Sequence, residues 1–318
     1  MACFRSLIAA LLMMAACLPL WAAPAEGSFD RTLPVSGGVN LEVKTGSGSI
    51  SVRNGPAGVV TVHGIIRAND SWIFGGGKSA QDKIKALESN PPIQQNGNAI
   101  HIGPIEDDSL RENVSISYQV VTPPDTRLSS QSGSGAQSVE GIKGPVTVRA
   151  GSGSLKIMDI DEGVDAHTGS GGIDLDGIAG AVSASAGSGS IHANHIGALM
   201  AGGKAGPSSD VQVRTGSGGV RLENVSGKLF AETGSGGIEA AGDPEGRWEL
   251  RTGSGGIRVK LPPNAAFEIS ARTGSGSIRV DHPVTAQGEF SKHEVRGTVR
   301  GGGFALDLRA GSGSIHVE

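Results

Sequence analysis

The chain has 318 residues, 27 of them basic and 31 acidic, with 52 glycines, two cysteines and only 3% aromatic residues. A net charge of −4 excludes a whole-molecule polycation, and with it a generic nucleic-acid binder. Glycine at this level beside so few aromatics departs far from average usage and points to a repeat or to disorder.

Met1 to Arg5 carry one positive charge, Leu7 to Cys17 form an almost unbroken apolar run, and Ala23-Pro24-Ala25 places small residues where a signal peptidase reads. These features predict a secretory signal peptide over residues 1–25 and an exported protein, in the periplasm or at the cell surface. The apolar run is too short for a comfortable membrane span, and no later stretch resembles one. A second processing reading takes Met14-Ala15-Ala16-Cys17 as a poor lipobox, with Cys17 lipid-modified and tethered to a membrane leaflet. Met14 and the better cleavage site downstream weigh against it. Cys3 and Cys17 both lie in the segment expected to be removed, so the remainder, with 26 basic residues against 31 acidic, folds without disulfides.

Residues 26–128 form an irregular first section. Gly46-Ser47-Gly48-Ser49-Ile50-Ser51-Val52 predicts a strand after a glycine corner, and Val59-Val60-Thr61-Val62 a second strand. Gly75-Gly76-Gly77-Lys78-Ser79 hints at a phosphate loop, but Trp72 stands where that motif needs glycine, and a loop leading into a helix is the expectation. The helix is predicted from Ser79, its cap, to Glu88, with Pro91-Pro92 beyond its end. Strands resume at Ala99–Ile102 and Val114–Val121. An atypical first section suits a solenoid, because an open end exposes unpaired strand edges.

Regular repeats fill residues 129–318. Gly-Ser-Gly starts at Gly46, Gly133, Gly151, Gly169, Gly187, Gly216, Gly234, Gly253, Gly274 and Gly311, with an 18-residue step from Gly133 to Gly187. The later steps are 29, 18, 19, 21 and 37 residues; the 29 reads as one period plus a loop, Gly197 to Asp210, and the 37 as two periods with one motif lost. The fourth position after each corner is apolar (Leu155, Ile173, Ile191, Val220, Ile238, Ile257, Ile278, Ile315). The sixth is apolar or small, and the fifth is polar throughout, which is a strand with one buried face. The ninth position (Ile160, Ile178, Ile196, Val225) is apolar again, and Val164, Val182 and Leu229 point a second strand inward. Glycine at the corners is expected to supply positive φ. The fold class is therefore all-β, a single-chain parallel β-solenoid of about 18-residue coils with a short helix in its N-terminal insertion. About a dozen coils at ~4.8 Å each make a rod roughly 55–60 Å long.

Thr45-Gly46-Ser47-Gly48-Ser49-Ile50, then a helix insertion, Asn98-Ala99-Ile100-His101-Ile102, Ser117-Tyr118-Gln119-Val120-Val121-Thr122-Pro123-Pro124 and repeated T/A-G-S-G-[GS]-[IV] coils resemble the bacterial adhesin-like β-strand-repeat family. This is a domain of unknown function in the toast-rack group. The resemblance spans nearly all of the chain after residue 25. It implies an extracytoplasmic β-solenoid with an adhesive or envelope-stress role and brings no catalytic residues.

Candidate chemistry is sparse. The corners lack the third glycine of a dinucleotide fingerprint and the aspartates of a calcium-binding roll, and no G-x-S-x-G elbow occurs. His192 and His195, with His167 one rung away, are weighed as metal ligands against exposed strand histidines, and the second is preferred. Asp159, Asp161, Asp165, Asp174 and Asp176 are weighed as the stacked carboxylates of a polysaccharide-cleaving β-helix against a solvated corner, again in favour of the second. No catalytic, cofactor or metal site is assigned. The remaining feature is a charge ladder. Arg214, Glu232, Arg251, Arg272 and Arg309 stand two residues before their corners, and Arg221, Glu239, Arg258 and Arg279 follow on outward positions. Arg214, Arg221, Arg251, Arg258, Arg272, Arg279 and Arg309 are the candidate stripe for an anionic envelope polymer or surface glycan. The competing account is a solubilising face of Arg–Glu pairs. The leading expectation is an exported, non-enzymatic envelope or adhesin-like binding or scaffold protein. Its rivals are a carbohydrate-active β-helix enzyme and an envelope-stress accessory binding a membrane protein.

Overall fold

A computed structural model describes residues 25–70, 79–197, 210–286 and 291–318. The predicted signal peptide but for Ala25, Cys17, the glycines of the 75–79 loop and residues 198–209 of the insertion lie outside the described residues. Each regular coil gives one strand to each of two facing sheets. Leu155–Ile160, Ile173–Ile178 and Ile191–Ile196 stack in sheet A, and Val146–Ala150, Val164–Thr168 and Val182–Ala186 in sheet B. The pairing is parallel and in register, so Ile157 lies on Leu175 and Val164 on Val182. Inward residues at the fourth, sixth and ninth positions are buried throughout these coils, and one aliphatic core runs between the sheets. Trp248, Tyr118, Phe267 and Phe29 add aromatic bulk toward its ends.

A strict two-residue alternation would carry the eighth position inward after the fourth and sixth. The structure avoids this by placing Gly141, Asp159, Gly177, His195 and Asn224 at φ between 52° and 73°, stacked rung on rung. The left-handed residue acts as a bulge that shifts the parity, and the ninth-position Ile142, Ile160, Ile178, Ile196 and Val225 turn back into the core. Glycine, aspartate, asparagine and histidine all tolerate that conformation.

The Gly-Ser-Gly corners have a different physical reason from the one expected. None of their glycines has φ in the left-handed region. A Cβ built on the second glycine, from Gly135 to Gly255, would lie 1.7–2.0 Å from a carbonyl oxygen of the coil stacked before it. Glycine is required because the coils approach backbone to backbone. The residue before the corner completes the junction. Thr168, Thr215, Thr233 and Thr252 are buried, donate to the carbonyls of Gly153, Gly189, Gly218 and Gly236 at 2.7–2.9 Å, and accept from the third amide of their own corner.

Both ends depart from the parallel stack. Val39–Thr45 pairs directly with Thr126–Ser132, so the Gly46 corner stacks on Gly133. Beyond that corner sheet A continues antiparallel, Val114–Thr122 pairing with Val59–Ala68 and this with Ala25–Pro34, while Ala99–Ile102 extends sheet B parallel to Val39–Thr45. Helix α1, Ala80–Ser89, is capped by the Ser79 side chain as its sequence predicts. It covers the edge strand, where Glu88 accepts from the Ser28 amide at 3.0 Å. At the other end sheet B runs Trp248–Thr252, Phe304–Ala310, Phe267–Thr273, then the antiparallel Glu294–Val299. The last coil is thus inserted between its two predecessors. The 37-residue step is not two stacked laps with a lost motif; the chain passes beyond the Gly274 corner, turns back through a hairpin, and sets Gly311 between Gly253 and Gly274.

Candidate functional site

Because inward residues of both sheets meet in one core, their outward residues point in opposite directions. This divides the seven arginines read as one stripe. Arg221, Arg258 and Arg279 stand on the outer face of sheet A; Arg214, Arg251, Arg272 and Arg309 stand on that of sheet B. They form two ladders separated by the thickness of the rod.

On sheet A the register runs Arg221, Glu239, Arg258, His316, Arg279. The first three alternate in sign, and each arginine of the ladder has a carboxylate within reach. Arg221 lies 2.8 Å and Arg258 3.6 Å from Glu239, and Arg258 also approaches Glu318 at 3.6 Å. Arg279 donates to Asp281 at 2.7 Å, and His316 pairs with the same carboxylate at 2.9 Å. Those two contacts, the arginine first, hold the Asp281 carboxyl below its usual range, and the Asp281 contact raises the Arg279 guanidinium. This face answers to the solubilising account.

On sheet B the register runs Arg214, Glu232, Arg251, Arg309, Arg272, Glu294. The inserted last coil places Arg309 between Arg251 and Arg272, making three arginines on consecutive rungs about 4.8 Å apart. Arg251 pairs with Glu249 on its own strand. Arg272 donates to Glu294 at 2.8 and 3.0 Å, which is the main reason that the Glu294 carboxyl is held below its usual range. The nearest acid on Arg309's own strand face, Asp307, is taken by Arg247 at 2.5 Å. Arg309 is exposed and has no acidic partner among the described residues.

Phe230 belongs to the same face and was not singled out by the sequence. It stands four residues before its corner, where the other coils carry Glu42, Ser129, Thr147, Asp165, Ser183, Gln212, Glu249, Ser270 and Asp307. Its ring is partly exposed, with the guanidinium carbons of Arg214 and Arg251 at 4.9 and 5.6 Å from its centroid. That one apolar residue in a polar column was the available signal.

The other candidates do not assemble. His167 lies on sheet B, opposite His192 and His195 on sheet A, and each histidine faces a carboxylate: Asp165 at 2.7 Å, Asp174 at 3.5 Å and Asp176 at 2.9 Å. No group of three histidine, cysteine or acidic residues among the described residues is placed to hold a metal. The acidic cluster is divided in the same way, Asp165 on sheet B and Asp174 and Asp176 on sheet A. Asp174 and Asp176, with His192, Asn194 and Glu223, line an open trough of about 340 Å³. No helix among the described residues is long and apolar enough to cross a membrane.

Residues 204–318 match the family model described as Toastrack DUF4097, so the toast-rack resemblance read from the coils is borne out there. No curated protein matches the sequence. Among solved structures, a proposed cell adhesion protein from Clostridium sporogenes ATCC 15579 is similar over 93% of this chain and 99% of its own, at 13% identity and a TM-score of 0.26. A proposed adhesin from Bacteroides fragilis NCTC 9343 is similar over the same shares, at 12% identity and a TM-score of 0.33.

Proposed function

We propose that this toast-rack β-solenoid is an exported, non-enzymatic binding protein of the cell envelope that seats an anionic surface polymer on the outer face of sheet B. The observation that carries the reading is the run Arg251, Arg309, Arg272 on consecutive rungs, with Arg309 lacking an acid partner among the described residues. Arg251 and Arg272 are each met by one carboxylate of the fold and Arg309 by none, so the run keeps a surplus of positive charge, and the guanidinium offers paired donors to an incoming carboxylate. The rod supplies a stiff, extended support, and a linear polymer can follow successive rungs.

The test is binding of the purified protein to polygalacturonate and to neutral dextran by biolayer interferometry. Polygalacturonate is expected to bind and dextran not. Replacing Arg309 and Arg272 together by serine is expected to weaken the acidic polymer about tenfold or more, since charged hydrogen bonds contribute about 1.5–3 kcal/mol each. The sheet A pair Arg221→Ser and Arg258→Ser is expected to leave binding unchanged. Equal binding of the two polymers, or equal loss from both faces, sinks the reading. The polygalacturonate is expected to leave the incubation uncleaved; shortened chains would favour the β-helix enzyme reading instead.

A further inference from the structure

Phe230 is an anomaly on a face where the equivalent residues of the other coils are polar. An outward phenylalanine costs solubility and, at this position, contributes nothing to the core between the sheets. It is not isolated. Arg214 on the preceding rung and Arg251 on the following rung stand diagonal to it and approach its ring. Arg251 also begins the three-arginine run, so ring and cations form one continuous surface. The Nε of Arg251 is buried with no hydrogen-bond partner, while Glu249 engages the end of the guanidinium. The guanidinium stands beside the ring while the side chain as a whole stays partly open to solvent.

We infer that Phe230, with the guanidinium planes of Arg214 and Arg251, is a platform for a sugar ring, so that the polymer bound on sheet B is a carboxylated polysaccharide. The inference rests on the anionic-polymer reading above and adds the chemical class of the ligand. A sugar has an apolar C–H face and a hydroxylated rim; an aromatic ring flanked by planar donors matches both. The chain would lie along the rod, one residue over Phe230 and its carboxylates toward Arg251, Arg309 and Arg272. A polyanion without sugar rings satisfies the arginines but gains nothing from the platform.

The experiment compares two carboxylated polymers, polygalacturonate and polyglutamate, on the intact protein and on Phe230→Ala, Phe230→Leu, Phe230→Trp and Arg309→Ser. Phe230→Ala and Phe230→Leu are expected to weaken polygalacturonate about fivefold, the scale of one aromatic contact, and to leave polyglutamate unchanged. Phe230→Trp is expected to retain polygalacturonate binding. Arg309→Ser is expected to weaken both polymers. Equal losses for both polymers in Phe230→Ala would show that the ring only positions the arginines and would overturn the inference, as would no loss for either. Neither polymer binding the intact protein would overturn the underlying reading and this inference with it. Circular dichroism of each variant separates these outcomes from misfolding, and the partly exposed position makes Phe230→Leu the least disruptive of the set.

Discussion

Thr233→Val tests what holds the coils together. Thr233 is 2% exposed; its hydroxyl donates to the Gly218 carbonyl of the preceding coil at 2.9 Å and accepts from the Gly236 amide at 3.1 Å. Valine keeps the shape and removes both bonds. Gly218 is buried, so its carbonyl loses that partner without gaining water, whereas the Gly236 amide is only partly buried and recovers some of the loss. An unsatisfied buried group costs about 1–3 kcal/mol, and the expected destabilisation is about 2 kcal/mol. In a chain of this size that lowers the thermal midpoint by roughly 3 °C. The assay is urea unfolding followed by circular dichroism, joined to native-state hydrogen exchange at the Gly236 amide. Exchange at Gly236 should quicken in Thr233→Val and stay protected in Thr233→Ser. An unchanged midpoint together with undiminished protection of Gly236 would refute the idea that the threonine row staples successive coils.

The same row makes an opposite prediction at Ala186, which is buried between Thr168 and Thr215 in register: Ala186→Thr restores the missing clamp and is expected to stabilise by about 1 kcal/mol in the same urea assay. Gly236→Ala places a methyl 2.0 Å from the Gly218 carbonyl oxygen and is expected to cost about 3 kcal/mol or more, whereas the exposed Ser235→Ala leaves the midpoint unchanged. Trp248 is fully buried and donates from Nε1 to the Gly227 carbonyl at 3.1 Å, so Trp248→Ala is expected to cost about 3–5 kcal/mol by the same measurement. The Glu294 carboxyl, lowered chiefly by Arg272, binds protons more readily unfolded than folded. Its contribution is present above the ordinary glutamate range of about 4.3 and is lost as the pH falls through the lower folded value; Glu294→Gln should flatten that part of the acid-unfolding curve.

Much of the architecture was legible because it depends on spacing. The alternation of Leu155, Lys156 and Ile157, repeated as Ile173, Asp174 and Leu175, announces a strand with one buried face, and the equal steps announce stacking. Ser79 and Pro91-Pro92 mark the helix because capping is a local hydrogen-bond problem. The reason for the glycines was not legible. A corner glycine looks the same in sequence whether it serves a positive φ or a close backbone approach, and only the neighbouring coil distinguishes them.

The candidate site was legible as a list of arginines and not as a surface. From Arg214 to Arg309 the sequence supplies the charges and their distance from each corner, because those are properties of one lap of chain. Which arginines are neighbours depends on the order of laps. That order was decided when the returning chain placed Phe304–Ala310 between Trp248–Thr252 and Phe267–Thr273. Every Gly-Ser-Gly corner offers the same backbone to its neighbour, so no local residue specifies that insertion; the long-range pairing of whole strands does. The same packing turned Arg221 and Arg258 to the far side of the rod and set Phe230 beside Arg251.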